Sequence, residues 1–211
     1  MSSMPLMIDL NDKQIVIVGG GKVATRRATT LVEYCSYVHI VSPTITSELQ
    51  NLLENGHLTW SKKQFEPQDI KHAYLVVIAT NQSDVNDYVK ASLSYGTLLN
   101  HAADAKAGDV TFPSILKRGR LTISVSTNGA SPKLGSQIIS TLNDMYNDNY
   151  ETYIEFLYQS RQYIKELTIE PSRKQRLLQQ IVSDEYLDED KQLEFMRWLQ
   201  SQAEDKGSCD I

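Results

Sequence analysis

The sequence predicts an α/β fold over its first half, followed by an all-helical region over its last third. Short β-branched runs alternate with helical segments between residues 14 and 99. A glycine-rich turn follows the first of these runs directly, and strand patterning is lost beyond Tyr146. A β-α-β-α-β order indicates a parallel sheet wrapped by helices.

Composition and charge exclude several classes of protein. The 211 residues are 41% apolar and 22% charged, which is typical of a folded globular chain. The net charge of −5 argues against a nucleic-acid binder. This charge is uneven: residues 1–146 hold 13 basic and 12 acidic side chains, while residues 147–211 hold 8 and 14. The acidity therefore belongs to the last third, and the front portion remains suited to an anionic partner.

The predicted elements follow from the periodicity of the apolar residues and from the turn residues that separate the segments. Continuous apolar runs predict buried parallel strands at 14–18, 37–41, 57–60 and 74–79, and one that begins at Leu98. The segments between them predict helices at 22–33, 44–54 and 83–95. Beyond Pro113, an alternating pattern predicts a strand at 121–126, then a helix at 134–146. Further helices follow, one of them starting at a capping box over 172–175.

The cysteines and the hydropathy of the chain indicate the cellular location to expect. Cys35 and Cys209 follow no metal-ligand spacing, and a disulfide between them is not expected. The N-terminus lacks the features of a signal peptide, and no apolar run is long enough to span a bilayer. We therefore expect a soluble, reduced, cytoplasmic protein.

The strongest local motif is Gly19-Gly20-Gly21-Lys22-Val23-Ala24, a G-x-G-x-x-A turn between a strand and a helix. Gly19 allows the tight turn, Gly21 lets the backbone approach a pyrophosphate, and Ala24 permits close helix–strand packing. Free N–H groups at the helix N-terminus attract phosphate. The turn predicts dinucleotide binding; a glycine turn that binds nothing is the alternative.

The choice between NAD and NADP does not follow from the residues after the second strand. The ribose-binding acid that usually follows the second strand is replaced by Ser42-Pro43-Thr44. Arg26 and Arg27 suit a 2′-phosphate, a substrate carboxylate or a solvated helix face. The candidate cofactor-binding residues are Gly19, Gly21, Lys22, Val23, Ala24, Ser42, Pro43, Thr80 and Asn81.

Five segments together resemble the precorrin-2 dehydrogenase family, which includes the N-terminal part of sirohaem synthases. They are 18–27, 79–81, Asn100-His101-Ala102-Ala103-Asp104, Phe112-Pro113-Ser114 and Ser126-Thr127-Asn128-Gly129-Ala130-Ser131-Pro132. The last is far more specific than the glycine turn. The resemblance covers residues 5–146, and we expect the stand-alone version of the enzyme, without the methyltransferase module of fused sirohaem synthases.

The resemblance implies NAD-dependent oxidation of precorrin-2, a tetrapyrrole polycarboxylate, to sirohydrochlorin on the route to sirohaem. It also implies a Rossmann-like domain (1–112), a central dimerisation and substrate region (113–146), a helical C-terminal domain (147–211) and a homodimer. Iron insertion by the same protein is one alternative, and a non-catalytic dinucleotide-sensing module is another. No Tyr-x-x-x-Lys pair supports a short-chain dehydrogenase.

The candidate catalytic base is Asp104, which follows the fifth strand at the carboxyl edge of the sheet. The family's aspartate usually lies three residues after the asparagine, where this chain has Ala103. Asp109 is the reserve candidate, and capping of a turn is the structural alternative for Asp104.

Substrate contacts are predicted at Asn100, Ser126, Asn128, Lys106 and Arg120. Between residues 106 and 133 five cations face one acid, which suits a polycarboxylate. His101 is expected to be a packed or partly exposed histidine, and no metal site is predicted. Tyr146, Tyr150 and Tyr153 are expected to pack in a core, with some involvement in a dimer.

Overall fold

The computed structural model describes residues 4–204, which form two compact units divided between Phe112 and Pro113. Cys209 lies outside the described residues; the Cys35 thiol is buried and donates a hydrogen bond to the Lys13 carbonyl oxygen (2.9 Å). No helix within residues 4–204 has both the length and the apolar character needed to cross a bilayer.

The described part of the first unit contains a parallel sheet in the order β3-β2-β1-β4-β5, which confirms the predicted α/β class. Every residue of β1 and β4 is buried, because central strands of a parallel sheet are covered on both faces. The strands are β1 (Ile15–Val18), β2 (Val38–Val41), β3 (Thr59–Ser61), β4 (Leu75–Ile78) and β5 (Leu98–His101).

Helices α1 (Lys22–Leu31), α2 (Ser47–Glu54) and α3 (Ser83–Ala91) connect these strands. Successive strand residues enter different cores: Ile17 packs in the cluster that includes Ala24 of α1, and Val18 packs in the cluster that includes Val89 of α3. The strand order reverses between β1 and β4. In open parallel sheets this reversal creates a ligand-binding crevice at the carboxyl ends of the strands.

The second unit begins with an antiparallel hairpin of β6 (Ser114–Arg118) and β7 (Leu121–Val125). Arg118 lies opposite Leu121, which leaves a two-residue loop in which Gly119 has a φ of +52°. Sequence patterning predicted β7 but missed β6, because residues 114–118 do not alternate between apolar and polar. The glycine in a two-residue loop was the available signal.

The rest of the second unit is helical, and a single cluster of buried side chains joins its last three helices. The rings of Tyr146 and Tyr150 are 5.0 Å apart and those of Tyr150 and Tyr153 are 5.8 Å apart, in edge-to-face contact. Tyr153 is buried in this cluster, which confirms the expected packing role. The helices are α4 (Pro132–Met145), α5 (Asn149–Glu166), α6 (Pro171–Gln180) and α7 (Glu189–Glu204).

The predicted capping box over 172–175 is wrong. Helix α6 begins at Pro171 and its N-cap is Glu170, whose side chain makes no capping hydrogen bond. Proline is favoured at the first helical position because its φ is already helical and its missing N–H would be unpaired there. The helix therefore starts before Ser172 can act as a cap.

Two arginines of the cationic segment are paired with acidic residues in the folded chain. Arg118 Nε lies 3.3 Å from Asp148 Oδ1, and Arg120 Nε lies 3.0 Å from Glu155 Oε2. Both acids belong to the acidic stretch 147–211, whereas both arginines belong to the cationic segment before it. The positive field expected between residues 106 and 133 is therefore partly neutralised within the second unit.

His39 on β2 joins the edge strand β3 through its side chain. Its Nδ1 lies 2.7 Å from Thr59 Oγ1, and its Nε2 lies 3.0 Å from Ser61 Oγ. Burial lowers the pKa of His39 below its ordinary value of 6.5, and nearby Asp69 opposes this shift only in part.

Below about pH 6.5 we expect the free energy of unfolding to decrease, because the unfolded chain then binds a proton at His39 more readily than the folded chain does. The stabilisation is complete above that pH and is lost as the pH falls through the lower pKa of the folded state. Thermal denaturation of the wild type and His39→Gln across pH 5 to 8 (approximately) tests this. Parallel pH profiles for the two proteins would show that His39 does not contribute.

Candidate active site

A cleft of about 870 Å³ lies at the carboxyl edge of the sheet in the first unit. The turns that follow β1, β2, β4 and β5 all contribute to it, together with residues beyond β3. Its lining includes Gly19, Gly20, Gly21, Lys22, Val23, Ser42, Pro43, Thr44, Thr46, Gln64, Phe65, Thr80, Asn81, Ala102 and Ala103. Most of the predicted cofactor-binding residues thus meet at one site. Ala24 instead is fully buried beneath the turn, as close packing requires.

The N-terminus of α1 has unsatisfied hydrogen-bond donors at this cleft. Gly21 is the N-cap and offers no side chain, and the first helical bond runs from the Thr25 N–H to the Gly21 carbonyl oxygen. The N–H groups of Lys22, Val23 and Ala24 therefore have no partner within the helix. Thr46 caps α2 and Ser131 caps α4 with side-chain oxygens, whereas α3, α5 and α6 have no side-chain cap either, so it is the position of α1 at the cleft that matters. An anion in the cleft would supply what α1 lacks.

The three glycines of the turn have different roles. Gly19 has a φ of +122°, and a Cβ there would overlap the Ala79 carbonyl oxygen. A Cβ on Gly20 would overlap the Thr44 carbonyl oxygen. A Cβ on Gly21 would meet no atom within 4 Å, so this face is open. Gly21 thus leaves space that a pyrophosphate can occupy, and the site fits a dinucleotide.

Hydroxyl groups hold the turn after β2. Ser42 Oγ donates to the Thr44 carbonyl oxygen (2.8 Å), and Trp60 Nε1 donates to the Ser42 carbonyl oxygen (2.9 Å). The hydroxyls of Thr25 and Thr46 lie 2.7 Å apart and join the starts of α1 and α2. Ser42 thus donates to the backbone of its own turn while it lines the cleft, and its role in cofactor binding stays a prediction.

The turn after β4 is held in a similar way. Thr80 Oγ1 donates to Asn86 Oδ1 (2.7 Å) and accepts from the Gln82 N–H (3.1 Å). These bonds fix the backbone of Thr80 and Asn81 beside Gly19, where both predicted residues line the cleft.

The turn after β5 brings Ala102 and Ala103 to the cleft, whereas Asp104 lies one residue beyond the lining. Asp104 is exposed, and its Oδ1 accepts from the Lys106 N–H (2.9 Å) at the start of a short 3₁₀ helix, Ala105–Ala107. Among the described residues that line the cleft, Lys22 is the one with a titratable side chain. Asp104 thus lies one residue beyond the lining of the cleft, and its role as base stays a prediction.

Asn100 and Asp109 both fasten the segment after this turn to β5. Asn100 Nδ2 donates to the Val110 carbonyl oxygen (2.8 Å), and Asp109 Oδ2 accepts from the Leu99 N–H (3.1 Å). Asn100 is buried, and its Oδ1 has no hydrogen-bond partner among the described residues. The structure gives both side chains a positioning role, and substrate binding by Asn100 stays a prediction.

Arg27 lies half-buried on α1 with its guanidinium 4.4 Å from the centre of the Phe112 ring. Burial and the neighbouring charge of Arg26 lower the pKa of Arg27. Neither arginine lines the cleft, and Arg26 is exposed. The cation–π contact explains Arg27 better than the proposed 2′-phosphate contact.

In the second unit, Ser126 and Asn128 form a tight turn before α4. Ser126 Oγ donates to Asn128 Oδ1 (3.3 Å) and accepts from the Asn128 N–H (3.2 Å), while Asn128 has a φ of +49°. Arg120 is paired with Glu155 and lies 3.6 Å from the centre of the Tyr158 ring. Substrate contacts by these residues and by the exposed Lys106 stay predictions; a carboxylate that binds Arg120 would compete with Glu155.

Sequence reasoning missed Gly20, Thr46 and the cleft residues Gln64 and Phe65. The G-x-G-x-x-A pattern treats Gly20 as a free position, whereas it is crowded by a loop that follows a different strand. Gln64 and Phe65 lie beyond β3 and match no motif. A threonine three residues before Leu49 was the available signal for Thr46, because its Oγ1 accepts from the Leu49 N–H.

The parallel sheet, the glycine turn and the uncapped start of α1 define the first unit as a Rossmann-like, dinucleotide-binding domain. A model of an NAD(P)-binding family matches residues 6–114. In the second unit, the sirohaem biosynthesis protein central model matches residues 118–138 and the SirC C-terminal domain model matches residues 150–195.

The chain belongs to the precorrin-2 dehydrogenase family, as the sequence resemblance implied. It is 34% identical over 196 residues to precorrin-2 dehydrogenase of Priestia megaterium, covering 92% of this chain and 97% of that protein. It is 35% identical over 158 residues to precorrin-2 dehydrogenase of Bacillus subtilis, covering 75% and 98%. The solved structure of SirC, precorrin-2 dehydrogenase, matches with a TM-score of 0.82 at 33% identity, covering 94% of this chain and 100% of that chain.

Proposed function

We propose that this enzyme oxidises precorrin-2 to sirohydrochlorin with NAD in sirohaem biosynthesis. The observation that carries the proposal is a family match over nearly the whole length of a precorrin-2 dehydrogenase, on a chain whose α1 N-terminus is open to a pyrophosphate. Bound NAD supplies the hydride acceptor. The substrate loses one hydride and one proton, which extends the conjugation of the macrocycle.

The residues divide this work between binding and proton transfer. The N–H groups at the start of α1 bind the pyrophosphate, and Gly21 leaves room for it. Asp104 accepts the proton that the macrocycle releases. We propose that Ser126, Asn128, Asn100, Lys106 and Arg120 contact the substrate, as the family motifs imply.

The choice of NAD over NADP follows what the family resemblance implies; the turn after β2 lacks the usual ribose-binding acid and supports the choice only by its lack of a cation. Residues 42–46 carry no cation, so a 2′-phosphate held at this turn would lack the arginine or lysine that usually binds it. We expect kcat/KM with NAD to exceed that with NADP by at least about tenfold, or about 1.4 kcal/mol. Initial rates with each cofactor under anaerobic conditions test this, and equal values would contradict it.

Iron insertion as a second activity has no support from the side chains. No group of three or more His, Cys, Asp or Glu residues that could hold a metal ion occurs within residues 4–204. Adding ferrous iron to sirohydrochlorin with the enzyme is the direct test: the rate of sirohaem formation should equal the rate without enzyme.

We also propose a cytoplasmic location, which suits the buried, unpaired thiol of Cys35.

We propose a homodimer formed through one face of α4. Leu134, Ile138 and Met145 lie at helical spacing along this face and are 49%, 37% and 59% exposed. The helix packs on a two-stranded hairpin, an element that is marginal when left alone. A second copy of this face would cover these side chains.

Replacing Ile138 with glutamate is expected to convert the dimer to a monomer, because a buried unpaired carboxylate costs several kcal/mol in an apolar interface (of order 2 or more). Light scattering after size-exclusion chromatography measures the mass. Val182→Glu is the matched control, since Val182 is 62% exposed and lies outside α4. A monomeric wild type, or a dimeric Ile138→Glu, would contradict the proposed interface.

A further inference from the structure

The turn between β5 and the short 3₁₀ helix depends on one imidazole. Ala102 is tied to β4 by its N–H, which donates to the Ile78 carbonyl oxygen (3.0 Å). Two residues later, the Asp104 N–H donates to His101 Nδ1 (3.0 Å). Asp104 then caps the 3₁₀ helix by accepting from the Lys106 N–H. The imidazole therefore sets where the Asp104 backbone lies relative to β5.

This hydrogen bond fixes the role of one ring nitrogen. A nitrogen that accepts from an N–H must carry a lone pair, so Nδ1 carries no proton in this contact. Nδ1 of His101 is therefore unsuited to act as the base itself while it holds this contact.

We propose that His101 is a positioning residue for Asp104. Its Nδ1 holds the Asp104 backbone and, with it, the adjoining cleft residues Ala102 and Ala103. The proposal rests on the proposed function for its effect on turnover, whereas its effect on the turn can be measured without turnover.

The other titratable groups near His101 lie on the elements that pack around β5. Strand β4 carries no titratable side chain. On α3, which shares a buried cluster with Leu99, the titratable groups are Asp84, Asp87, Tyr88 and Lys90. Around the 3₁₀ helix they are Asp104, Lys106 and Asp109, of which Asp109 is bonded to the Leu99 N–H. None of these groups forms an ion pair with His101 among the described residues, so the hydrogen bond from the Asp104 N–H is the contact that the proposal uses.

Two substitutions of His101 distinguish loss of the hydrogen-bond acceptor from loss of the imidazole ring. Oδ1 of asparagine lies at the same distance from Cβ as Nδ1 of histidine, so His101→Asn keeps an acceptor that does not titrate. His101→Leu fills the space but offers no acceptor. We expect His101→Leu to lower kcat about tenfold to a hundredfold with little change in the Kd for NAD, and His101→Asn to keep most of the wild-type kcat.

Hydrogen exchange followed by mass spectrometry gives the readout that needs no turnover. In the wild type, residues 102–107 should be protected from exchange. The variant His101→Asn should keep this protection, and His101→Leu should lose it. Exchange that is the same in all three proteins would overturn the positioning role, whatever the turnover. Exchange as expected in an inactive wild type would instead contradict the proposed function alone.

Discussion

Asp104→Asn is expected to lower kcat for precorrin-2 oxidation by about 10²–10⁴-fold, the range that a positioned general base contributes. Asparagine keeps an oxygen that can accept from the Lys106 N–H, as Asp104 Oδ1 does, so the start of the 3₁₀ helix is preserved. It cannot accept a proton at neutral pH. Steady-state kinetics under anaerobic conditions measure kcat, and calorimetric titration checks that NAD still binds.

Capping and catalysis by Asp104 are separated by comparing Asp104→Asn with Asp104→Ala. If Asp104 serves only as a cap, the asparagine variant behaves like the wild type and only the alanine variant is impaired. If Asp104 is the base, both variants are inactive to a similar degree. Full turnover by Asp104→Asn would reject the assignment of the base.

A second substitution tests the position of the carboxylate. Ala103 lines the cleft, whereas Asp104 does not. Ala103→Asp in the Asp104→Asn background places a carboxylate where relatives carry one, and we expect it to restore kcat at least about tenfold. Exposure of Ala103 leaves room for the larger side chain. Absence of any rescue would argue that the proton leaves by a route other than this turn.

Gly21→Ala is expected to leave the protein folded and to weaken NAD binding by at least about a hundredfold, or about 2.7 kcal/mol. The backbone of Gly21, with φ of −89°, suits alanine, and the added Cβ meets no protein atom. The methyl group would occupy the space that we assign to the pyrophosphate. Calorimetric titration with NAD measures the Kd.

Gly20→Ala provides the matched comparison, one residue away, with the opposite outcome. Its Cβ would overlap the Thr44 carbonyl oxygen and approach Ser42 Oγ to 2.8 Å. We expect a loss of about 1–3 kcal/mol in the free energy of unfolding, measured by denaturant titration. A destabilised Gly21→Ala with unchanged NAD affinity would contradict the roles assigned to the two glycines.

The sheet could be predicted from the sequence because its strands are buried on both faces. Such strands appear as continuous β-branched runs, and β1, β2 and β4 lie within a residue of their predicted ends. The strand β6 has no comparable run, since only Leu116 among its residues is buried on a small hairpin. The predicted helix over 44–54 starts instead at Ser47, because Thr46 uses its hydroxyl as a cap.

The site was predictable where a short motif contains its own physical reason, as in Gly19 and Gly21. It was not predictable where a role depends on residues distant in sequence. Arg27 packs on Phe112, Gly20 is crowded by Thr44, and Arg120 is neutralised by Glu155. None of these contacts can be recognised from the local spacing of residues or from composition. His101 likewise matched no motif, although its ring holds the turn that carries Asp104.

The most direct test of the proposed activity is the stoichiometry of a single anaerobic incubation with precorrin-2 and NAD. The loss of one hydride and one proton predicts one equivalent of NADH for each equivalent of sirohydrochlorin, both formed at the same rate. Absence of NADH formation, with the absorbance of precorrin-2 unchanged in the presence of NAD or NADP, would contradict it.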